Sequence, residues 1–229
     1  MKMILVAEIG LNHDGNFDLI YEMIRQAKIA GADIAKFQVG WRDQPGEINN
    51  LDKEKLFKIK DMCSYLDIEM MASIINDQAF DLVSELNLNR LKIASRTVKE
   101  NPELCKKIIN TKKQVFCSLG FVDNNLDIFE KNFDNVKYIY CISKYPTYAN
   151  DITNFPKNFN DNSYYGYSDH MHGIGACLLA LSRGAKFIEK HFTLNKTSQV
   201  IRDHTLSATP DEFKILSSIG RELQKLSDK

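Results

Sequence analysis

Eight short apolar segments alternate with helix-patterned stretches, polar residues gather at the ends of those segments, and no Gly-x-Gly-x-x-Gly turn follows the first of them. Together these observations predict an α/β chain folded as a single-domain, closed (β/α)8 TIM barrel, not an open doubly wound sheet. The strand candidates are Ile4 to Ile9, Ile34 to Val39, Ile68 to Ile74, Arg90 to Ser95, Gln114 to Leu119, Tyr138 to Ile142, Tyr164 to Ser168 and Lys186 to Phe192. Between them, apolar residues fall three and four apart, as in Ile20, Met23, Ile24 and Ala27, then Leu56, Ile59, Cys63 and Leu66, then Ala79, Leu82, Val83 and Leu86. Asn101-Pro102 sets a capping residue before a proline suited to a first helical turn, and Thr209-Pro-Asp-Glu212 has the spacing of a capping box. The connection after Tyr145, through Asn154-Phe-Pro-Lys-Asn-Phe159, has poor helix character, so its helix is expected to be short or absent. No low-complexity linker or composition break interrupts the chain, and residues 1–229 are read as one domain.

Composition narrows the function class. Acidic and basic residues balance at 30 each, which argues against a nucleic-acid or membrane-surface protein. No apolar run is long enough for a membrane span, and the start lacks a signal-peptide pattern and reads as a first strand. Cys63, Cys105, Cys117, Cys141 and Cys177 are scattered and odd in number, without a Cys-x-x-Cys pair, so a reduced, cytoplasmic setting is expected.

In a barrel the chemistry sits where strands end and loops begin. Those ends carry Glu8 with Asn12-His13, Lys36 and Gln38, Ser73, Lys92 and Ser95, Ser118, Ser143 and Tyr145, Ser168 and His170, and Glu189 with His191. Lysines and hydroxyls converging on one mouth suit an anionic substrate. Lys36 lies between Ala35 and Phe37, and Lys92 between Leu91 and Ile93, where an unpaired ammonium would be costly. Tyr165-Gly-Tyr-Ser-Asp-His170 and Ile188-Glu-Lys-His191 read as neighbouring parallel strands that each end in an imidazole. Such a pair forms a candidate divalent-metal site with positions open to substrate. The competing reading is two unrelated surface or core histidines.

The same stretches carry a resemblance. Ala7-Glu-Ile-Gly-Leu-Asn-His-Asp-Gly15, Lys36-Phe-Gln38, Lys92-Ile-Ala-Ser95, Tyr145-Pro-Thr147, Gly166-Tyr-Ser-Asp-His170, Glu189-Lys-His-Phe-Thr-Leu194 and Pro210-Asp-Glu-Phe213 resemble, in order and over essentially the whole chain, the N-acetylneuraminate synthase family. The resemblance implies a TIM barrel that condenses phosphoenolpyruvate with an aldose such as N-acetylmannosamine, giving a nonulosonic acid and phosphate. It also implies a divalent metal, commonly Mn2+ with Mg2+ or Co2+ as alternatives, on His170 and His191. Lys36, Lys92, Ser95 and Ser168 match residues that grip phosphoenolpyruvate, with Gln38, Ser118 and Tyr145 in the same site. Glu8 matches the acid near the reacting carbons, Glu189 a carboxylate beside the metal, and Asp203 an aspartate on the sugar hydroxyls.

Several positions depart from the family pattern. Ser73 stands for a threonine in Ala72-Ser-Ile-Ile75, Ser143 for an asparagine, Arg96-Thr97 for a Gly-Glu pair, and Gln199-Val-Ile-Arg-Asp203 for Pro-Gly-Pro-Asp. With the sequence ending at Lys229, a short form is expected, without the C-terminal antifreeze-like domain whose arginine, in the family, reaches the partner subunit's site in a homodimer. Either a smaller or differently decorated aldose is therefore expected, touched by Asp203, His204 and Arg202, or the missing domain is supplied by another chain. Two other readings stay open: a related barrel aldolase or isomerase on another sugar, and a non-catalytic pathway partner that keeps the barrel.

Overall fold

A computed structural model of the chain describes residues 3–44, 46–121, 133–161, 163–197 and 201–227. Eight parallel strands close into one barrel in sequence order. They are β1 (Ile4–Gly10), β2 (Ile34–Val39), β3 (Glu69–Ile74), β4 (Arg90–Ile93), β5 (Gln114–Ser118), β6 (Val136–Cys141), β7 (Gly166–Asp169) and β8 (Phe187–His191). The barrel closes where β1 meets β8, with Leu5 opposite Ile188 and Glu8 opposite His191. All eight expected strands are present. β4 is shorter than expected and ends at Ile93, so Ser95 opens a helix instead of finishing a strand.

The helices are α1 (Phe17–Ile29), α2 (Lys53–Tyr65), α3 (Asp77–Glu85), α4 (Ser95–Glu100), α5 (Pro102–Asn110), α6 (Gly175–Ser182) and α7 (Pro210–Ser227). Local chemistry marks their starts. Side-chain oxygens of Asn16, Asp52, Asn76 and Asn101 accept from the backbone N–H of Asp18, Lys55, Ala79 and Leu104, satisfying donors a first turn leaves without partners. The expected capping box opens α7: Thr209 N donates to Glu212 Oε2 at 2.9 Å, and Glu212 N to Thr209 Oγ1 at 3.4 Å. Between β6 and β7 the described residues form only a 3-10 turn, Ala149–Asp151, and irregular chain. Phe155 covers the strands there, packing edge-on against Tyr140 at 5.5 Å and Tyr167 at 5.0 Å, so aromatic area replaces the missing helix.

Two apolar layers support the site. The apolar faces of α1 and α2, including Ile20, Met23, Ile24, Leu56 and Ile59, bury against the outside of the barrel. Inside it, Val6, Ile34, Met71, Phe116, Ile139 and Phe187 form a closed plug, with the rings of Phe116 and Phe187 4.3 Å apart. Gly166 makes room for this plug: a Cβ there would lie 2.0 Å from the Phe187 carbonyl oxygen. Strand side chains alternate in direction. Two residues above the plug, the inward positions therefore become Glu8, Lys36, Ser73, Ser118, Cys141, Ser168 and Glu189. At the opposite end, Arg221 of α7 bonds Asp33 at 2.7 Å and the Met3 carbonyl at 2.9 Å, fastening the last helix to the first strand. Among the described residues, no helix is long and apolar enough to cross a membrane.

Gly166→Ala is expected to destabilise the barrel by about 1–3 kcal/mol or more, because the clash is with backbone. Gly175→Ala, with nothing within 4 Å of the added Cβ in α6, should be neutral or slightly stabilising. Denaturant unfolding of the two variants checks the contrast; equal losses would mean the plug tolerates the methyl group.

Candidate active site

The polar layer forms the floor of a cavity of about 350 Å³ at the C-terminal end of the strands. Glu8, Lys36, Ser73, Lys92, Ser118, Ser168 and Glu189 are each 5% exposed or less. Strand register sets their order, with Glu8 opposite Lys36, Ser73 opposite Lys92 and Ser168 opposite Glu189. Lys36 Nζ lies 2.8 Å from Glu8 Oε2 and 3.5 Å from Glu189 Oε2, and donates to Ser73 Oγ at 2.8 Å. Lys92 Nζ lies 3.4 Å from Glu189 Oε1 and donates to Ser118 Oγ at 2.7 Å. Ser168 Oγ donates to Glu189 Oε1, and Gln38 Nε2 to Glu8 Oε1, both at 2.8 Å.

Burial disfavours every charge in this layer, so pairing decides which charges persist. Burial alone would raise the Glu189 carboxyl, yet Lys36 and Lys92 hold it at about 2. Glu8 is raised, because burial outweighs the pull of Lys36 and the charge of Glu189 adds to it. Burial works against the Lys36 ammonium, but Glu189 and Glu8 raise it above the usual lysine value. Two carboxyls flanking one lysine are thus driven apart in proton affinity, which makes Glu8 the readier of the two to take up a proton.

His170 and His191 stand above the floor with ring centroids 5.5 Å apart, and the Tyr145 ring lies 4.1 Å from His170 and 6.1 Å from His191. His170 Nδ1 donates to the Ile142 carbonyl at 2.8 Å, which leaves its Nε2 as the free nitrogen. His191 Nδ1 has no hydrogen-bond partner among the described residues. Burial lowers the His191 pKa against the opposing charge of Asp203, favouring neutral imidazole. Among the described residues, no three His, Cys, Asp or Glu side chains group as a metal cluster.

Asp169, adjacent to His170 in sequence, does not orient these rings. It accepts from Lys190 Nζ at 2.8 Å, Tyr167 OH at 2.7 Å and Cys177 Sγ at 3.2 Å, under α6. Strand alternation sends neighbouring side chains to opposite faces, so the orienting group for His170 is a backbone carbonyl from the adjoining strand end.

The remaining expected residues lie around the mouth. Ser95 Oγ accepts from Gly120 N at 2.8 Å, and a Cβ on Gly120 would fall 2.4 Å from Ser143 Oγ, so bare backbone and two hydroxyls share one corner. Asp203 and Arg202 line the cavity, with the Arg202 guanidinium 4.8 Å above the Tyr145 ring. His204, expected on the sugar, is a joint instead. Its Nε2 lies 3.0 Å from both Asp14 carboxylate oxygens, and its Nδ1 2.8 Å from Thr193 Oγ1. Asn12 works beside it, donating to the Phe192 carbonyl and to Ser207 Oγ at 2.9 Å each, so the turn bearing Asp203 is tied to β1 and β8. His13 is buried and held down at about 4 by that burial, which identifies it as a core residue. Thr97 turns away from the cavity and bonds the Ile74 carbonyl at 3.3 Å. Gln199 and Val200 lie outside the described residues. The strand-tip reading omitted Cys141, Gly120, Trp41 and Arg96. Cys141 was legible as two residues beyond inward Ile139, whereas the loop residues carry no periodic signal.

The NeuB family model matches residues 46–229. The chain is 32% identical to the uncharacterized protein MJ1065 of Methanocaldococcus jannaschii, over 97% of this chain and 71% of that one. It is 29% identical to N,N'-diacetyllegionaminic acid synthase of Campylobacter jejuni, over 98% of this chain and 77% of that protein. The crystal structure of N-acetylneuraminic acid (sialic acid) synthetase from Leptospira borgpetersenii, in complex with citrate, superposes with a TM-score of 0.89 at 28% identity, covering 100% of this chain and 86% of that one. By sequence, by fold and by the extent of both matches, the chain belongs to the NeuB family.

Proposed function

We propose that this cavity condenses phosphoenolpyruvate with an aldose of the N-acetylmannosamine type, forming a carbon–carbon bond and releasing phosphate to give a nonulosonic acid. The observation that carries the reading is the buried floor, where two lysines and two glutamates lie under a ring of serine hydroxyls beside paired histidines. The named activities of the Campylobacter and Leptospira relatives support it. Lys92 and Lys36 bind the phosphate and carboxylate of phosphoenolpyruvate, with Ser73, Ser95, Ser118, Ser143 and Ser168 as orienting donors. Gln38 and Tyr145 border that anion. The enol carbon attacks the aldehyde carbon, water adds at the cationic carbon left behind, and the phosphate ester bond breaks. Glu8 holds the proton moved in these steps, Glu189 anchors both lysines, and Asp203 receives the sugar hydroxyls.

A divalent ion fits the donor set. His170 keeps Nε2 free, and His191 is a buried imidazole with an unpartnered nitrogen, favoured in its neutral form. Two such imidazoles leave the remaining coordination positions to oxygen ligands, and Mn2+, Mg2+ or Co2+ suits that mixture. When bound, the ion would polarise the aldehyde as a Lewis acid. The five cysteines are buried free thiols, consistent with a reducing compartment, and we place the reaction in the cytoplasm.

Phosphate release from phosphoenolpyruvate should depend on added aldose; release without any aldose, or none with every aldose tried, would remove the reading. His170→Ala and His191→Ala should each abolish divalent-metal content, measured by elemental analysis of the folded proteins. Metal retained in both variants would place the ion elsewhere. Lys36→Met should weaken phosphoenolpyruvate binding by roughly tenfold or more in calorimetry. The same change leaves Glu8 and Glu189 without their shared cation, and should cost about 3–5 kcal/mol of stability. Unchanged affinity in a folded variant would make Lys36 a structural residue only.

A further inference from the structure

Asp203 joins the cavity wall from a short 3-10 turn, Arg202–Leu206. Its Oδ1 is buried, with Arg202 Nε 3.4 Å away and no hydrogen-bond partner among the described residues, so it can accept from an incoming hydroxyl. Two locks set where that carboxylate stands. The first acts on the backbone: Asn12 Nδ2 donates to Ser207 Oγ at 2.9 Å, and Ser207 Oγ donates to the Asp203 carbonyl at 2.6 Å. The second is the side chain of the next residue. His204 is 2% exposed and is held at both ring nitrogens, Nε2 by the two Asp14 oxygens at 3.0 Å and Nδ1 by Thr193 Oγ1 at 2.8 Å. Asp14 aims its carboxylate from a left-handed backbone, φ 51°, a conformation uncommon outside glycine.

Counting donors assigns the charge of this ring. Thr193 Oγ1 has one proton, and the Asn195 carbonyl, 3.0 Å away, can only accept it. An ionised Asp14 carboxylate can likewise only accept. A neutral imidazole therefore loses a contact whichever nitrogen carries its proton. With the proton on Nε2, Nδ1 must draw the hydroxyl proton away from the Asn195 carbonyl. With the proton on Nδ1, Nε2 meets the carboxylate lone pair against lone pair. Protonated at both nitrogens, the ring donates to Thr193 and to Asp14, and every contact in the chain has a donor and an acceptor.

We propose that His204 is an imidazolium clamp: paired with Asp14 and Thr193, it is a positioning residue that holds Asp203 in place for the acceptor sugar. This rests on the condensation proposed above, with Asp203 facing the sugar hydroxyls. The partners of His204 lie outside the lysine floor, so loosening the clamp should be felt by the aldose and not by phosphoenolpyruvate. The test compares wild type with His204→Gln, Thr193→Val and Thr193→Ser in the phosphate-release assay, with N-acetylmannosamine or whichever aldose releases phosphate fastest. His204→Gln and Thr193→Val should each lower kcat/KM for the aldose by about tenfold or more, the scale of a small misplacement of a binding group. The KM for phosphoenolpyruvate should move by less than about threefold, and Thr193→Ser, which keeps the hydroxyl, should stay within about threefold of wild type. Nitrogen-15 NMR of histidine-labelled protein, with the His204 signals identified by their loss in His204→Gln, should show both ring nitrogens protonated at neutral pH. One protonated and one bare nitrogen would overturn the imidazolium. An unchanged kcat/KM for the aldose, equal rises in both KM values, or Thr193→Ser as impaired as Thr193→Val would overturn the positioning role while leaving the condensation standing. The two Thr193 variants carry the comparison if His204→Gln does not fold. If no aldose supports phosphate release, the condensation reading falls, and calorimetric titration of N-acetylmannosamine decides the clamp separately. Binding at least about tenfold weaker in Thr193→Val than in Thr193→Ser upholds it; equal or absent binding in both overturns it.

Discussion

The charge layer that joins Glu8, Lys36, Glu189 and Lys92 governs the rest of this molecule. Each of these groups would be prohibitively costly to bury alone, and each is tolerable because the ring of strands delivers an opposite charge within 3.5 Å. The two lysines and two glutamates offset one another's charge directly above the apolar plug. The cost is accepted at one level of the barrel only. Below it, Val6, Ile34, Met71, Phe116, Ile139 and Phe187 carry the packing.

That arrangement makes the scaffold serve the site in a specific way. The residue Gly166 leaves room for Phe187, which closes the plug against Phe116 and lifts the polar layer to the mouth. Above the layer, backbone groups do the fine positioning: the Ile142 carbonyl fixes His170, and Gly120 brings its N–H against Ser95. The turn carrying Asp203 has little regular structure of its own. Its geometry comes from His204 and Asn12, buried polar residues whose partners sit on two neighbouring strand ends. The histidine side of the mouth is therefore held by hydrogen bonds, while the opposite side, where Arg96 lies over the Trp41 ring, is more open and set by stacking.

Much of this was legible in the sequence, because periodicity and end position are local properties. Strand-end position brought Lys36, Glu8 and Glu189 to the mouth, capping residues marked helix starts, and the poor helix character after Tyr145 anticipated the absence of a full helix between β6 and β7. The class of site followed too, since polar residues at apolar strand tips are costly unless they meet one another.

Partnership was decided only by the closed barrel. Lys36 and Glu189 are far apart in sequence and become neighbours because β8 pairs with β1, which pairs with β2. Asp169 sits next to His170 in the chain yet faces Lys190 and α6, whereas Ile142, 28 residues away, holds the imidazole. His204 could be assigned to the sugar site from sequence, and Thr97 stands where the family pattern has a glutamate, yet both turn inward to structural partners. Gly120, Trp41 and Arg96 belong to loops, where no repeat in the sequence says which way a side chain points. The sequence by itself determined which residues stand at the mouth of the barrel, because that depends on strand period and length. Which of them touch was left to tertiary structure, because contact depends on register across strands and on loop paths that no local pattern encodes.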